Sequence, residues 1–223
     1  MNARASVTVD VVSDVMCPWC LIGKRRLERA IASVEDIDVE VRWRPFLLDP
    51  TIPQEGRDRK QYLEAKFGGP ERAKAVYANI EAAGRAEGIP FAFDRIKRSP
   101  KTIDAHRLIR WAGSERSGVQ DRLVEALFQA FFIEGRDVGD HDVLVEIAES
   151  ADMDADIVRD LLAGDRERAI VEKEIETARQ IGVTGVPCFI FDGREGIVGA
   201  QDADVLAAAI GRAAKRPALP AAS

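Results

Sequence analysis

Two cysteines stand three positions apart where the local sequence changes from a strand pattern to a helix pattern. The β-branched run at residues 7–12 is typical of a buried strand. Cys17-Pro18-Trp19-Cys20 follows soon after, and proline is favoured at the first position of a helix because its missing N–H would have no partner there. We therefore expect Cys17 to cap a helix that begins at Pro18, with Cys20 one turn further on.

This placement puts the two sulfur atoms within reach of each other, but each has different surroundings. The unpaired N–H groups and the dipole at a helix N-terminus favour a thiolate at Cys17, which we expect to be exposed and to attack. Cys20 is expected to be buried and to resolve the resulting mixed disulfide. The alternative is half of a zinc site, but zinc usually takes four ligands. Cys188, His106 and His141 are the remaining soft ligands and form no second pair, so the sequence favours redox chemistry without a metal.

The rest of the chain gives strand and helix signals in an informative order. A second strand is expected at residues 39–44, helical signals dominate residues 56–163, and further elements are expected at 166–181 (helix), 188–192 (strand), 196–199 (strand) and 202–214 (helix). Asp192-Gly193 is a hairpin turn signal between the last two strands. We expect the first two strands to be parallel with a right-handed crossover, and the last two to be antiparallel.

This order predicts an α/β fold of the thioredoxin type, a mixed four-stranded sheet with flanking helices interrupted by a large all-helical insertion. The thioredoxin-like domain is expected to be discontinuous, at residues 1–50 and 165–215. The insertion is expected at residues 51–164, and residues 216–223 are expected to form a loose tail.

Composition narrows the range of partners. A net charge of −6 argues against a broad nucleic-acid surface, and there is no apolar run long enough to span a membrane. The first residues lack the pattern of a secretory signal, so we expect a cytoplasmic protein. The oligomeric state is left open.

Four segments resemble one known family in the family's own order. Residues 13–20 with Gly23-Lys24 resemble the DsbA family, specifically its FrnE-like cytoplasmic branch. Residues 102–108, which contain His106, resemble the signature of that branch's helical domain. Residues 182–187 resemble its cis-proline loop, and residues 199–201, which end at Gln201, resemble the segment after its last strand.

The resemblance implies a thioredoxin fold with an inserted helical domain and assigns roles to several residues. It implies that the Val186–Pro187 bond is cis and lies beside the cysteine pair, with the Val186 backbone pairing with an extended thiol substrate. The catalytic residues are then Cys17, Cys20 and Pro187. Substrate contacts are expected from Pro18, Trp19, Val186, His106 and Gln201, since Trp19 offers an apolar face and Gln201 opens a helix that could receive the carboxylate of glutathione.

The resemblance leaves three activities open. The first is a thiol–disulfide oxidoreductase that works through a mixed disulfide on small thiols or protein disulfides, with glutathione as a possible co-substrate and no tightly bound cofactor. The second is a glutathione-dependent isomerase or transferase, since 2-hydroxychromene-2-carboxylate isomerases and kappa-class glutathione transferases are similar but carry serine in place of Cys17. The third is a chaperone-like module that binds client proteins. The intact cysteine pair favours the first.

Three further expectations concern single side chains. Cys188, which opens a short apolar strand, is expected to be a packed residue and not a third working thiol. His141 is expected to be exposed at a helix start. The basic run at residues 24–29 is expected to be a solvated helix face.

Overall fold

The computed structural model describes residues 4–216. Within this range the strands are β1 (Ala5–Ser13), β2 (Ile37–Pro45), β3 (Arg57–Asp58), β4 (Arg98–Ser99), β5 (Cys188–Phe191) and β6 (Glu195–Val198). The helices are α1 (Pro18–Ala32), α2 (Arg59–Phe67), α3 (Pro70–Ala86), α4 (Ile103–Ala112), α5 (Val119–Gln129), α6 (His141–Ser150), α7 (Ala155–Ala163), α8 (Arg168–Gln180) and α9 (Ala203–Ala214). The tail expected at residues 216–223 lies outside the described residues from 217 onwards.

Four strands form one mixed sheet in the order β2-β1-β5-β6. β1 runs parallel to β2 and antiparallel to β5, while β5 and β6 form an antiparallel hairpin. The hairpin turns at Asp192 and Gly193, which both have positive φ, and the Arg194 N–H donates to the Phe191 carbonyl oxygen across this turn at 3.0 Å. The predicted fold class, a thioredoxin-like sheet with flanking helices and a helical insertion, is confirmed.

The two faces of the sheet are covered by different helices. On one face Phe189 packs with α1 and α9 in the main hydrophobic core. Its neighbour Cys188 points the other way, because successive strand residues alternate, and packs with Val12, Phe46 and the α8 residue Ala178. The cysteine pair and Cys188 therefore belong to opposite faces.

The inserted segment is largely helical but contains a feature that the sequence did not reveal. β3 pairs with β4 over two residues, which joins the start of α2 to the segment before α4. The expectation of an all-helical insertion is corrected by this ladder. Its strands are too short for an alternating pattern, so it could not be read from the local sequence.

A buried ion cluster gives a structural role to residues 102–108, the segment that resembles the family's helical-domain signature. Arg107 is fully buried and donates to the carbonyl oxygens of Leu161 (2.7 Å) and Gly164 (2.6 Å) at the end of α7. Its guanidinium also pairs with the buried carboxylate of Asp104 at 2.8 Å. Arg168, the first residue of α8, donates to the same carboxylate at 2.9 Å. The cluster therefore joins α4 to the end of α7 and to the start of α8, the helix that leads back to the four-stranded sheet.

The basic run on α1 is not the solvated face that the sequence predicts. Lys24 is buried and lies between the carboxylates of Glu28, Asp121 (3.1 Å) and Glu125 (3.3 Å). The last two belong to α5, and no sequence pattern predicts that this helix packs against α1. Only tertiary packing could reveal this burial, because the two α5 carboxylates are about a hundred positions away in the chain.

Candidate active site

The cysteine pair occupies the joint between β1 and α1. Cys17 is the N-cap of α1, with extended backbone angles (φ −93°, ψ 113°), and Pro18 is the first helical residue, as predicted. The Cys17 N–H donates to the carbonyl oxygen of Asp14 at 2.9 Å, and the Cys20 N–H donates to that of Cys17 at 3.0 Å. These bonds hold both thiols on one turn of backbone.

Both thiols are buried. Cys20 is 1% exposed, as predicted, but Cys17 is only 3% exposed, so the expectation of an exposed Cys17 is wrong for this structure. The cause is the loop that precedes β5, because the Sγ of Cys17 lies 3.7 Å from the carbonyl oxygen of Val186. The carbonyl oxygen of Val186 therefore lies next to the sulfur that is predicted to attack.

Cys20 is poorly placed to ionise on its own. Burial raises its pKa well above the ordinary value, and the hydrogen bond to Cys17 and the charge of Cys17 raise it further. The Ser13 hydroxyl and the Asp14 backbone N–H act in the opposite direction through hydrogen bonds to Cys20. The raised pKa therefore favours the thiol form of Cys20.

The loop before β5 has the conformation that the resemblance implied. The Val186–Pro187 peptide bond is cis. Pro187 packs against α1, where a β-carbon on Gly23 would lie 2.9 Å from Pro187 Cγ. The carbonyl oxygen of Pro187 accepts a hydrogen bond from the Gly199 N–H at 2.7 Å. Pro187 is thus held from both sides beside the cysteine pair.

His106 is not where a substrate contact would need it. Its side chain is 2% exposed, and its Nε2 lies 2.8 Å from the carbonyl oxygen of Phe46 and 3.7 Å from Asp14 Oδ1. Asp14 is fully buried, and its Oδ2 accepts from the Leu48 N–H at 2.7 Å. The predicted substrate contact of His106 is therefore corrected to a support for the segment before Cys17. The sequence could not show this, because Phe46 is sixty positions away.

The other residues predicted to contact substrate differ in their exposure to solvent. Trp19 is 37% exposed, which leaves its apolar face available beside the thiols, whereas Pro18 is buried. Gln201 is exposed at the start of α9, and its amide donates to the carbonyl oxygen of Val198 at 3.0 Å. His141 is half exposed but bonds to Asp104 at 3.1 Å, so it has a structural partner. Substrate roles for Pro18, Trp19, Val186 and Gln201 stay predictions.

The charge of Cys17 acts on two side chains of the inserted segment that the sequence did not single out. Partial burial lowers the pKa of Lys66, and the negative charges of Asp49 and Cys17 oppose that shift. Burial raises the pKa of Tyr77, and the charge of Cys17 raises it further. Both groups therefore share the electrostatic environment of Cys17. They lie on α2 and α3, and no local pattern pointed to them.

Cys188 lies behind the sheet. It is 3% exposed, and burial raises its pKa. It pairs in register with Val12, on the face opposite α1. All three cysteines are free in this structure. The expectation of a packed residue agrees with this position.

Two negative findings apply to residues 4–216. No cluster of three or more His, Cys, Asp and Glu side chains is arranged to hold a metal ion in that range. None of the helices described there combines the length and apolar character needed to cross a membrane.

Comparison with known proteins agrees with the fold and the cysteine pair. Residues 8–211 match the DSBA-like thioredoxin domain family. The structure of a probable DsbA oxidoreductase from Streptomyces coelicolor is similar with a TM-score of 0.84 and 34% identity, over 96% of this chain and 93% of that one.

Two more distant structures share the fold. A 2-hydroxychromene-2-carboxylate isomerase gives a TM-score of 0.68 at 16% identity, over 92% of this chain and 95% of that one. The cytosolic disulfide reductase DsbM from Pseudomonas aeruginosa, solved with glutathione, gives 0.60 at 18% identity, over 92% of this chain and 98% of that one. At these identities the likeness extends to the fold alone.

Proposed function

The chain belongs to the DSBA-like thioredoxin domain family, and we propose that within this family it is a thiol–disulfide oxidoreductase that reduces disulfides through Cys17 and Cys20. The observation that supports this most directly is the placement of both thiols on the first turn of α1, where the Cys20 N–H donates to the Cys17 carbonyl oxygen at 3.0 Å. Burial raises the pKa of the Cys20 thiol, which suits Cys20 to the second, resolving exchange.

The proposed reaction has two exchanges. The Cys17 thiolate attacks one sulfur of a substrate disulfide, the substrate S–S bond breaks, and the first substrate thiolate leaves. Cys20 then loses its proton to solvent, and its thiolate attacks Cys17 Sγ. The second substrate thiolate leaves and the protein retains a Cys17–Cys20 disulfide. Two electrons have passed from the protein to the substrate, and the carbonyl group of Val186 lies beside the first sulfur to react.

We propose glutathione as the co-substrate that restores the dithiol. Two glutathione molecules supply two electrons, reduce the Cys17–Cys20 disulfide and leave as glutathione disulfide. The fold shared with a cytosolic disulfide reductase solved with glutathione supports this choice. Cytoplasmic location is part of the same proposal, because unpaired thiols such as Cys188 are typical of reducing compartments. Placement in the FrnE-like branch stays a prediction.

The isomerase and client-binding alternatives receive less support. An isomerase would need only one group at position 17, yet this chain has a second thiol in contact with it. A client-binding protein would need no thiols at all. Neither alternative accounts for the arrangement of Cys17 and Cys20.

The test compares three purified variants in the glutathione-coupled reduction of a small disulfide and of insulin. Cys17→Ser should abolish turnover without unfolding the protein, since serine is a favoured N-cap residue and Cys17 makes no side-chain cap bond that would be lost. Cys20→Ala should accumulate a mixed disulfide at Cys17, visible by mass spectrometry. Cys188→Ala is the matched control and should turn over normally. Full turnover by Cys17→Ser would disprove the proposal.

A further inference from the structure

The guanidinium group of Arg26, on α1, contacts two other segments of the chain. Its Nη1 donates to the carbonyl oxygen of Ala200 at 2.5 Å and lies 3.1 Å from the carboxylate of Asp202. Its Nε donates to Glu87 Oε1 at 2.8 Å, and only 4% of the Glu87 side chain is exposed. Arg26 therefore joins the active-site helix to the end of α3 and to the start of α9.

The segment that Arg26 contacts is bonded in turn to the cis-proline loop. The Gly199 N–H donates to the Pro187 carbonyl oxygen at 2.7 Å, which adds one bond to the β5–β6 hairpin. The Gln201 N–H donates to the Gly199 carbonyl oxygen at 2.8 Å, so the chain makes a tight turn with Ala200 at its centre. A continuous series of hydrogen bonds thus leads from Arg26 through this turn to Pro187.

This series of bonds complements the direct contact between α1 and the same loop. Gly23 approaches Pro187 closely, but such a contact limits only how near the two can come and has no preferred direction. Arg26 lies one turn further along the same face of α1 and adds hydrogen bonds, which do depend on direction. Contact and bonds together hold the loop beside Cys17, whose Sγ lies 3.7 Å from the Val186 carbonyl oxygen.

We propose that Arg26 is a positioning residue that sets the selectivity of the protein for extended peptide disulfides over small disulfides. The proposal rests on the function proposed above. An extended substrate that pairs with the Val186 backbone needs the loop at a fixed place, because hydrogen bonds weaken steeply when their geometry is poor. A small disulfide makes no such pairing and needs only to reach Cys17 Sγ. Loss of Arg26 should therefore change the choice of substrate and not the reactivity of the thiols.

Arg29 offers a matched control on the same helix. It pairs with the same carboxylate of Glu87, but among residues 4–216 it has no bond to the turn that contains Ala200. Arg29→Ala therefore removes a positive charge and an ion pair while the bond from Arg26 to Ala200 stays. Arg26→Lys keeps the charge, but its donors lie on one nitrogen atom, so it cannot serve Glu87 and Ala200 from two separate nitrogens.

The experiment measures single-turnover oxidation of the reduced, full-length protein without glutathione. The two substrates are bis(2-hydroxyethyl) disulfide and a short extended peptide whose central cysteine carries the same 2-hydroxyethylthio group. Acid quenching and mass spectrometry give a second-order rate constant for each. Arg26→Ala and Arg26→Lys should lower the constant for the peptide by about tenfold, the factor expected for one lost hydrogen bond, and keep that for the small disulfide within about twofold. Arg29→Ala should leave both constants unchanged.

Amide hydrogen exchange gives a second measurement that does not involve the thiols. If Arg26 holds the turn against the loop, Arg26→Ala should speed exchange of the Gly199 N–H by about tenfold and leave the amides in the centre of β1 unchanged. Unchanged exchange at Gly199 would disprove the link between Arg26 and Pro187.

The outcomes separate the two proposals. If the natural protein reduces neither disulfide, or if Cys17→Ser reacts as fast, the thiol mechanism fails, and exchange at Gly199 still tests the link from Arg26. If Arg26→Ala slows both substrates by the same factor, or Arg29→Ala loses the same selectivity, the role of Arg26 is disproved while the mechanism stands. A natural rate with the peptide in Arg26→Lys would also disprove it. Arg26→Lys keeps the comparison possible even if Arg26→Ala folds poorly.

Discussion

Gly23 of α1 and Pro187 of the cis-proline loop approach each other so closely that a β-carbon on Gly23 would lie 2.9 Å from Pro187 Cγ. The ring of Phe189 lies just behind, at 3.1 Å from the same position. Glycine inside a helix normally costs about 1 kcal/mol relative to alanine. Here its missing side chain lets α1, and with it the cysteine pair, pack directly on the loop that contains Val186.

Gly23→Ala should therefore destabilise the protein despite the better helix propensity of alanine. The added methyl group has to displace Pro187 or α1, and such overpacking costs about 1–3 kcal/mol. Thermal or urea unfolding should show a lower free energy of unfolding, and the attack of Cys17 on a disulfide should slow. Gly211→Ala in α9 is the matched control, because nothing lies within 4 Å of that position. A Gly23→Ala protein as stable as Gly211→Ala would contradict the close packing.

Cys188 should take no part in thiol exchange. The sheet separates it from Cys17 and Cys20, and burial raises its pKa. Brief alkylation of the native, reduced protein should leave Cys188 unlabelled until the protein is unfolded. Cys188→Ala should keep the glutathione-coupled turnover and lose about 1 kcal/mol of stability from the smaller side chain. A disulfide from Cys188 to either active-site cysteine, found by non-reducing peptide mapping, would show that a third thiol takes part.

His106 should act on stability and not on substrate affinity. His106→Ala leaves the Phe46 carbonyl oxygen without its buried partner, which should lower the free energy of unfolding by about 1–3 kcal/mol. The KM for disulfide substrates should stay the same. His141→Ala is the comparison, and its cost should be smaller because that side chain is half exposed. An altered KM with unchanged stability would restore a substrate contact for His106.

Glu125 should make part of the protein's stability depend on acid pH. Burial alone would raise its pKa, but hydrogen bonds from Arg25 and Gln129 and the charge of Lys24 outweigh burial and lower the pKa from 4.5 to about 2. Because the folded pKa is the lower one, this stabilisation is complete above about pH 4.5 and is lost as the pH falls towards 2. Glu125→Gln should lower stability at pH 7 by about 1–2 kcal/mol and flatten its decline over that window.

The control for this prediction is Glu149→Gln, at an exposed position of α6. It should leave the pH dependence of stability unchanged, as measured by urea unfolding at a series of pH values. The same decline in Glu125→Gln as in the natural protein would mean that the ion cluster around Lys24 contributes nothing to folding.

The local sequence by itself determined the elements whose signals lie within a few residues of one another. Pro18 directly after Cys17 defines the start of α1, Asp140 and Asp154 cap α6 and α7 with their side chains, and Asp192-Gly193 turns the β5–β6 hairpin. These are local backbone preferences, and they were sufficient for the order of elements and for the position of both active-site thiols. The family resemblance supplied the cis Val186–Pro187 bond, for which a short-range sequence signal favours trans.

Only the tertiary structure decided which groups surround those thiols. The burial of Cys17 depends on Val186, 169 positions away, and the position of His106 depends on Phe46, 60 positions away. Lys24 belongs to a charged run that the local pattern places in solvent, yet carboxylates from α5 enclose it. The burial and the electrostatic environment of a site depend on every chain segment that packs there. Contacts between distant segments cannot be read from the spacing of neighbouring residues.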